Sequence, residues 1–226
     1  LLPDAAPACQ NFDLAAYSLY CDETGGDYYD FIPLKTGQEQ LGLAVGDVSG
    51  HGIGAALVMA TARGVLHSLN DRHGSDLESI ISELNYQLSC STADAYFMTM
   101  FYGILNPAER SLLWISAGHA PIFFYHADGQ VEELFSTGIP LGILEETHYQ
   151  VAPIVKFAQG EILLIGTDGI WEAENISGEM FGNQRVCELL TRCANQDAAS
   201  IAKQLIRELN EFRGEQIQND DITLMV

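Results

Sequence analysis

Apolar and polar positions along this chain alternate in blocks of two kinds. Short apolar runs such as Leu41 to Val45 and Ile162 to Gly166, rich in β-branched or aromatic residues nearby, predict strands. Phe12 to Tyr20 reads as a first strand, and the Gly25-Gly26-Asp27 turn opens an aromatic strand to Leu34. Lys35 to Gln40, with Gly37, reads as the polar turn of a hairpin whose second arm runs from Leu41 to Asp47. Beyond Gly50-His51-Gly52 the period changes. Ile53, Ala56, Leu57, Ala60, Gly64 and Leu66 recur at helical spacing to about Ser68. After a break at 71–75, Asp76 caps a second helix with Leu77, Ile80, Ile81, Leu84 and Leu88 on one face.

Strands return at Phe97 to Leu105, Leu112 to Ser116, Pro121 to His126 and Gln130 to Leu134. Asn106-Pro107, Gly118 and Asp128-Gly129 separate them as turn signals at hairpin spacing. Val151 to Phe157 and Glu161 to Gly166 read as a further pair around Gln159-Gly160. Two late helices, near 183–193 and 197–212, precede a polar loop and a last strand that Asp220 or Asp221 opens. Strands, two helices, strands, two helices and one strand do not make the β-α alternation of a parallel doubly wound sheet. They predict an α+β fold of antiparallel sheets covered by helix pairs. Residues 1–11 read as a linker or tail and 12–226 as one domain, since no composition shift or Pro/Ser-rich linker divides them. The opening Leu1-Leu2-Pro3-Asp4, without an initiator Met, raises the expectation of a piece of a longer protein.

Composition narrows the function classes. The 31 acidic and 10 basic residues give a formal net charge of −21, which repels phosphate backbones and anionic membranes and favours neutral or basic partners. No apolar run reaches membrane-spanning length. The five cysteines are scattered and odd in number, with no C-x-x-C, which fits free thiols in a reducing, cytoplasmic compartment.

The chemistry lies at strand ends. Asp27, Asp47, Asp168 and Asp220 each flank an apolar strand, where an unpaired carboxylate is costly. Convergent carboxylates are tolerated when hard divalent cations hold them, so the pattern points to a metal site and metal-assisted hydrolysis. The most specific segment is Gly46-Asp47-Val48-Ser49-Gly50-His51-Gly52; taken alone it also reads as a Gly-rich strand-to-helix turn.

Six ordered segments carry a resemblance: 25–30, 46–52, 116–121, 137–142, 166–175 and 219–226. Together they are similar to the PPM (protein phosphatase 2C-like) metal-dependent serine/threonine phosphatases, specifically the bacterial SpoIIE/RsbU branch. The resemblance implies a four-layer α-β-β-α sandwich with two divalent cations, Mn²⁺ or Mg²⁺, at one edge of the sheets. By motif, Asp47 matches the bridging ligand, the Val48 carbonyl the backbone ligand, Asp27 an acid at the second metal, Asp168 the ligand of the S/T-D-G motif, and Asp220, in preference to Asp221, the first residue of the final acidic pair. The chemistry implied is water activated between two metals, attacking phosphoserine or phosphothreonine with no Cys or Ser nucleophile; Asp27 and Asp47 then count as catalytic.

Departures from the pattern are visible. Cys21-Asp22-Glu23-Thr24 lacks the basic phosphate-binding residue of eukaryotic relatives, and Gly26 stands where many relatives carry another acid. His51 lies four places after Asp47, which leaves two readings open, proton transfer or helix entry. Asp30 reads as a supporting partner of the carboxylates or as a strand-edge acid, with Asp221 in the same supporting group. Leu57, Met59 and Val65, on the first helix pair, serve either as contacts of a regulatory switch or as simple packing. The implied substrate is a phosphorylated anti-sigma-factor antagonist of the STAS class, with an upstream sensory or receiver domain. A homodimer stays open, as do two rivals, a non-catalytic adaptor that binds a sigma factor or its regulator and a phosphatase of small phosphoesters.

Overall fold

Strand Leu41–Val48 (β3) is apolar on both faces, and the computed structural model, which describes residues 1–35, 39–92, 96–119 and 121–226, shows why. Ala44 and Val48 face one hydrophobic cluster; Leu41, Leu43 and Val45 face another. A strand buried on both sides cannot show period-two patterning. β3 is the second strand of a five-stranded antiparallel sheet that also holds β2 (Tyr28–Pro33), β4 (Met98–Asn106), β5 (Ser111–Ala117) and β8 (Val155–Lys156), in the order β2-β3-β4-β5-β8. A second five-stranded antiparallel sheet runs β1-β10-β9-β6-β7, from β1 (Ala16–Leu19), β10 (Ile222–Met225), β9 (Ile162–Gly166), β6 (Ile122–Tyr125) and β7 (Val131–Leu134).

Helices α1 (Ile53–His73) and α2 (Leu77–Thr92) cover the first sheet, and α3 (Gly182–Cys193) and α4 (Ala198–Arg213) cover the second. Between the sheets lies the third cluster, in which Phe101 stacks on Trp114 at 5.7 Å. The expected four-layer α-β-β-α sandwich is the architecture found. Asp76 caps α2 as its sequence predicts, accepting from Ser79 N at 3.2 Å, and Asp197 caps α4.

Three expectations are corrected. The first helix does not stop near Ser68 but runs to His73. Leu69 and Asn70 are buried, and Asn70 accepts from the Tyr102 hydroxyl of β4; the polar last turn points outward, where Arg72 and His73 bind Glu83 of α2. Val151–Phe157 does not pair with Glu161–Gly166. Only Val155–Lys156 is a strand, and it pairs with Ser111–Leu112 of β5, while β9 lies in the other sheet between β6 and β10. Gln159-Gly160 therefore marks a crossing between sheets, as does Gly118, at φ 71, between β5 and β6. A glycine-marked reversal looks the same in sequence whether it closes a hairpin or changes layers. The Gly37 turn and Ala120 lie outside the described residues.

Residues 1–11 hold no strand or helix, yet they lie along the domain: Tyr29 donates to the Pro3 carbonyl at 2.7 Å, and Leu2, Ala6 and Cys9 pack against the inter-sheet cluster. Among the described residues, no helix is long and apolar enough to cross a membrane.

Candidate metal centre

Strand parity decides which acids meet. On β2 and its approach, odd positions (Tyr29, Phe31) face the inter-sheet layer and even positions (Tyr28, Ile32) face α1 and α2. Asp27 shares the odd face, as Asp47 does on β3. Asp168 follows β9, and Asp220 and Asp221 precede β10, so all five acids gather where one end of each sheet meets the other.

Asp27 is 1% exposed. Its Oδ2 accepts from Thr167 Oγ1 at 2.8 Å, and Thr167 Oγ1 in turn accepts from Thr223 N at 3.0 Å. Burial pushes the Asp27 carboxyl up to about 8, against the lowering effect of the threonine hydrogen bonds. Asp47 is pushed up to about 9, first by burial and then by the charges of Asp27, Asp168, Asp220 and Asp221. Burial raises Asp168, with Glu172 adding to it; burial also raises Asp220, while nearby His51 lowers it. Burial first, and mutual repulsion after it, favours the protonated form of these acids.

Asp221 has a different role. Its Oδ1 accepts from Cys21 N at 2.8 Å and its Oδ2 from Gly26 N at 2.9 Å, so the buried carboxylate anchors the loop before β2. Asp220 is exposed and uses Oδ1 to accept from Asp221 N at 2.8 Å. Gln218 braces this loop: Nε2 donates to the carbonyls of Leu19 and Asp220 at 2.9 and 2.8 Å, and Oε1 accepts from Arg213 Nη1 at 3.1 Å.

The backbone carbonyl of Val48 looks toward Gly26: a Cβ at that glycine would stand 2.9 Å from the oxygen. A side chain there would force a shift of the Val48 carbonyl or of the Gly26 backbone. Gly169 is tighter still, since a Cβ would meet the Asp221 carbonyl at 2.0 Å.

Other expected residues land elsewhere. Asp30 is on the even face of β2, opposite Asp27. Its Oδ2 binds His67 Nε2 at 2.7 Å, Arg63 Nε at 3.2 Å and the Tyr28 hydroxyl at 3.0 Å, so it fastens β2 to α1 and does not reach the carboxylate group. His67 of α1 is half of that fastening. His51 is exposed on the loop between β3 and α1. Of the three helix residues, Leu57 is exposed, Val65 half-buried and Met59 buried in the core. His119 is buried, with Nδ1 2.9 Å from Thr99 Oγ1, and burial pulls it down to about 4.

Sequence reasoning missed Thr167 and Thr223 as supports of Asp27, and the Arg213–Gln218 brace. Thr167 and Thr223 share strand parity with the inward face, a signal that was present; the brace joins residues five apart across a loop and left none.

The donors fit a hard divalent cation: carboxylate oxygens and one carbonyl, with raised carboxyls that a positive charge would discharge. Among the described residues, no three His, Cys, Asp or Glu side chains already surround one point. The acids feel one another's charge without converging on one point.

The family model of stage II sporulation protein E (SpoIIE) matches residues 37–226. The chain is 29% identical over 252 residues to protein IcfG of Synechocystis sp., covering 99% of this chain and 39% of that protein. It is 28% identical over 227 residues to phosphoserine phosphatase RsbU of Bacillus subtilis, covering 100% of this chain and 66% of that protein. It thus spans less than two thirds of the length of either relative. The SiaA PP2C domain of Pseudomonas aeruginosa superposes with a TM-score of 0.80 at 26% identity, over 93% of this chain and 84% of that one. The RsbU and RsbW domains of Rv1364c from Mycobacterium tuberculosis give a TM-score of 0.83 at 26% identity, over 98% and 62%.

Proposed function

Because the chain belongs to the SpoIIE family of PP2C-like phosphatases, we propose that it is a divalent-cation-dependent phosphatase of phosphoserine or phosphothreonine in a regulatory protein. One observation carries the reading: Asp27 and Asp47, inside the sandwich edge, hold carboxyls raised to about 8 and about 9 by burial and by neighbouring acids. A fold keeps such a cluster when a cation uses it.

Asp27, Asp47, Asp168, Asp220 and the Val48 carbonyl would hold two cations, Mn²⁺ or Mg²⁺. Bound there, they supply Lewis-acid activation of water and neutralise charge on the phosphoryl group. The chain's own residues position the acids. Thr167 fixes the Asp27 carboxylate, Asp221 fixes the loop carrying Asp27, and the Gln218 brace fixes the carbonyl of Asp220. His51 stands near Asp220 on an exposed loop, and in this reading it is the candidate for passing a proton to the leaving alkoxide. The acidic surface favours a substrate with a neutral or basic flank around its phosphate.

The relatives support a partner-switching role, since one is named phosphoserine phosphatase RsbU and another structure pairs RsbU and RsbW domains. We place this chain in the same class, acting in the cytoplasm on a STAS-type antagonist, with residues 12–226 as the phosphatase domain beside an upstream sensory domain. Leu57, exposed on α1, is then a contact for that domain or for a second copy.

An adaptor reading draws on the acids that do not converge. Hydrolysis of p-nitrophenyl phosphate with Mn²⁺, with Mg²⁺ and with EDTA separates the two. Metal-dependent turnover that disappears in Asp47→Asn supports the phosphatase; no turnover together with no Mn²⁺ binding supports the adaptor.

A further inference from the structure

At the end of the sandwich away from the aspartates, the two sheets part around a cavity of about 390 Å³. Leu43 and Leu105 wall it from one sheet, Ile165 and Met225 from the other, and Phe157 and Ile201 close its sides. Apolar walls and a volume between about 300 and 1,000 Å³ are the usual form of a small-molecule site.

The mouth is polar, and its charges are unequal in availability. Asp13 Oδ2 accepts from Ala198 N at 2.7 Å. Glu161 Oε2 accepts from Ala158 N at 2.8 Å, and its Oε1 lies 3.7 Å from His126 Nδ1. Arg110 is exposed at the same mouth, and among the described residues its guanidinium makes no hydrogen bond or ion pair.

The backbone there is also unusual. Asn11, at φ 64, and Arg110, at φ 50, are the two non-glycine residues with positive φ among the described residues, and both line this cavity. Left-handed backbone is tolerated by Asn but disfavoured for Arg, and such outliers concentrate at ligand sites. The Asn11 side chain ties the two turns together by donating to the Pro107 carbonyl at 3.2 Å. The fold therefore holds an unpaired cation, in a conformation glycine would take more easily, over an apolar cavity.

We infer that this cavity binds an amphiphilic monocarboxylate, its apolar body between the sheets and its carboxylate on Arg110. The N-terminal end of α4 is already capped by Asp13 and Asp197, so the carboxylate's partner at the mouth is Arg110. The inference is independent of the phosphatase reading, because no metal-site residue takes part.

Calorimetric titration of the metal-free chain with decanoate, below its micellar concentration, and with 1-decanol tests it. Decanoate is expected to bind saturably, one per chain, at least tenfold tighter than the alcohol. In Arg110→Gly that preference disappears, while the ligand-free melting temperature rises as the turn relaxes. Leu105→Phe, which fills the cavity, lowers affinity for both probes tenfold or more. The inference is overturned by no saturable decanoate binding, by equal affinity in wild type and Arg110→Gly, or by unchanged affinity in Leu105→Phe.

Discussion

At the scale of single residues, the acids at the sandwich edge set the pH response of the metal-free protein. A carboxyl whose pKa is raised by folding stabilises the fold in its protonated form. That contribution is complete below the ordinary carboxyl range near 4 and is lost as pH rises through about 8 for Asp27 and about 9 for Asp47. His119 has the opposite sign. Pulled down to about 4, it favours the fold when neutral, and its contribution is lost as pH falls from about 6.5 toward 4. In EDTA the melting temperature should therefore fall from pH 7 to pH 9, where His119 is silent. Asp47→Asn should flatten that fall and raise stability at pH 8 by on the order of 1 kcal/mol, while activity drops to background. Thermal melts across pH check this, and an unchanged slope in the variant would sink it. Thr167→Val tests the support of Asp27: it leaves Thr223 N without its side-chain acceptor and should cost about 1–3 kcal/mol in denaturant unfolding.

At the scale of elements, β2, β3, β9 and β10 matter as carriers: each brings an acid to the same end of the sandwich. The Arg213–Gln218 brace ties the Asp220 loop to the end of β1 and to α4. Gln218→Ala should raise the Mn²⁺ concentration for half-maximal activity roughly 10- to 100-fold, with turnover recovered at saturating metal. Equal loss at every metal concentration would instead mean a role in chemistry. Asp30 joins α1 to β2 through Arg63 and His67, and Arg63→Ala should cost about 1–3 kcal/mol by leaving a buried carboxylate less compensated.

Much of this level was legible in the sequence. Whereas on α1 Ile53 and Leu57 are exposed and Ala55, Met59, Ala62 and Leu66 form the buried face, the phase of α2, the Asp76 cap and the hairpin at Asp128-Gly129 follow from local rules. Pairing across layers did not, because Gly118 and Gly160 carry the same turn signature as a hairpin while the chain changes sheets. The sequence left two readings of Asp30 open for a related reason: its neighbours Arg63 and His67 are more than thirty residues away, and only strand parity distinguishes its face from that of Asp27.

At the scale of the whole molecule, the chain puts a net charge of −21 on a fold whose reactive edge is itself acidic. Basic phosphopeptides should be hydrolysed with a higher kcat/KM than acidic ones. That preference should shrink several-fold between about 50 and 500 mM salt, as the screening length falls from about 14 to about 4 Å. A preference indifferent to salt would place recognition in short-range contacts. The central claim is that the raised carboxyls exist to receive cations. The most direct measurement is Mn²⁺ binding calorimetry at pH 7 in two buffers of different ionisation enthalpy, for wild type and Asp47→Asn. Binding that releases at least one proton in the wild type, and is lost in the variant, is the predicted result. Absence of binding, or binding that releases no proton and survives the substitution, would contradict it.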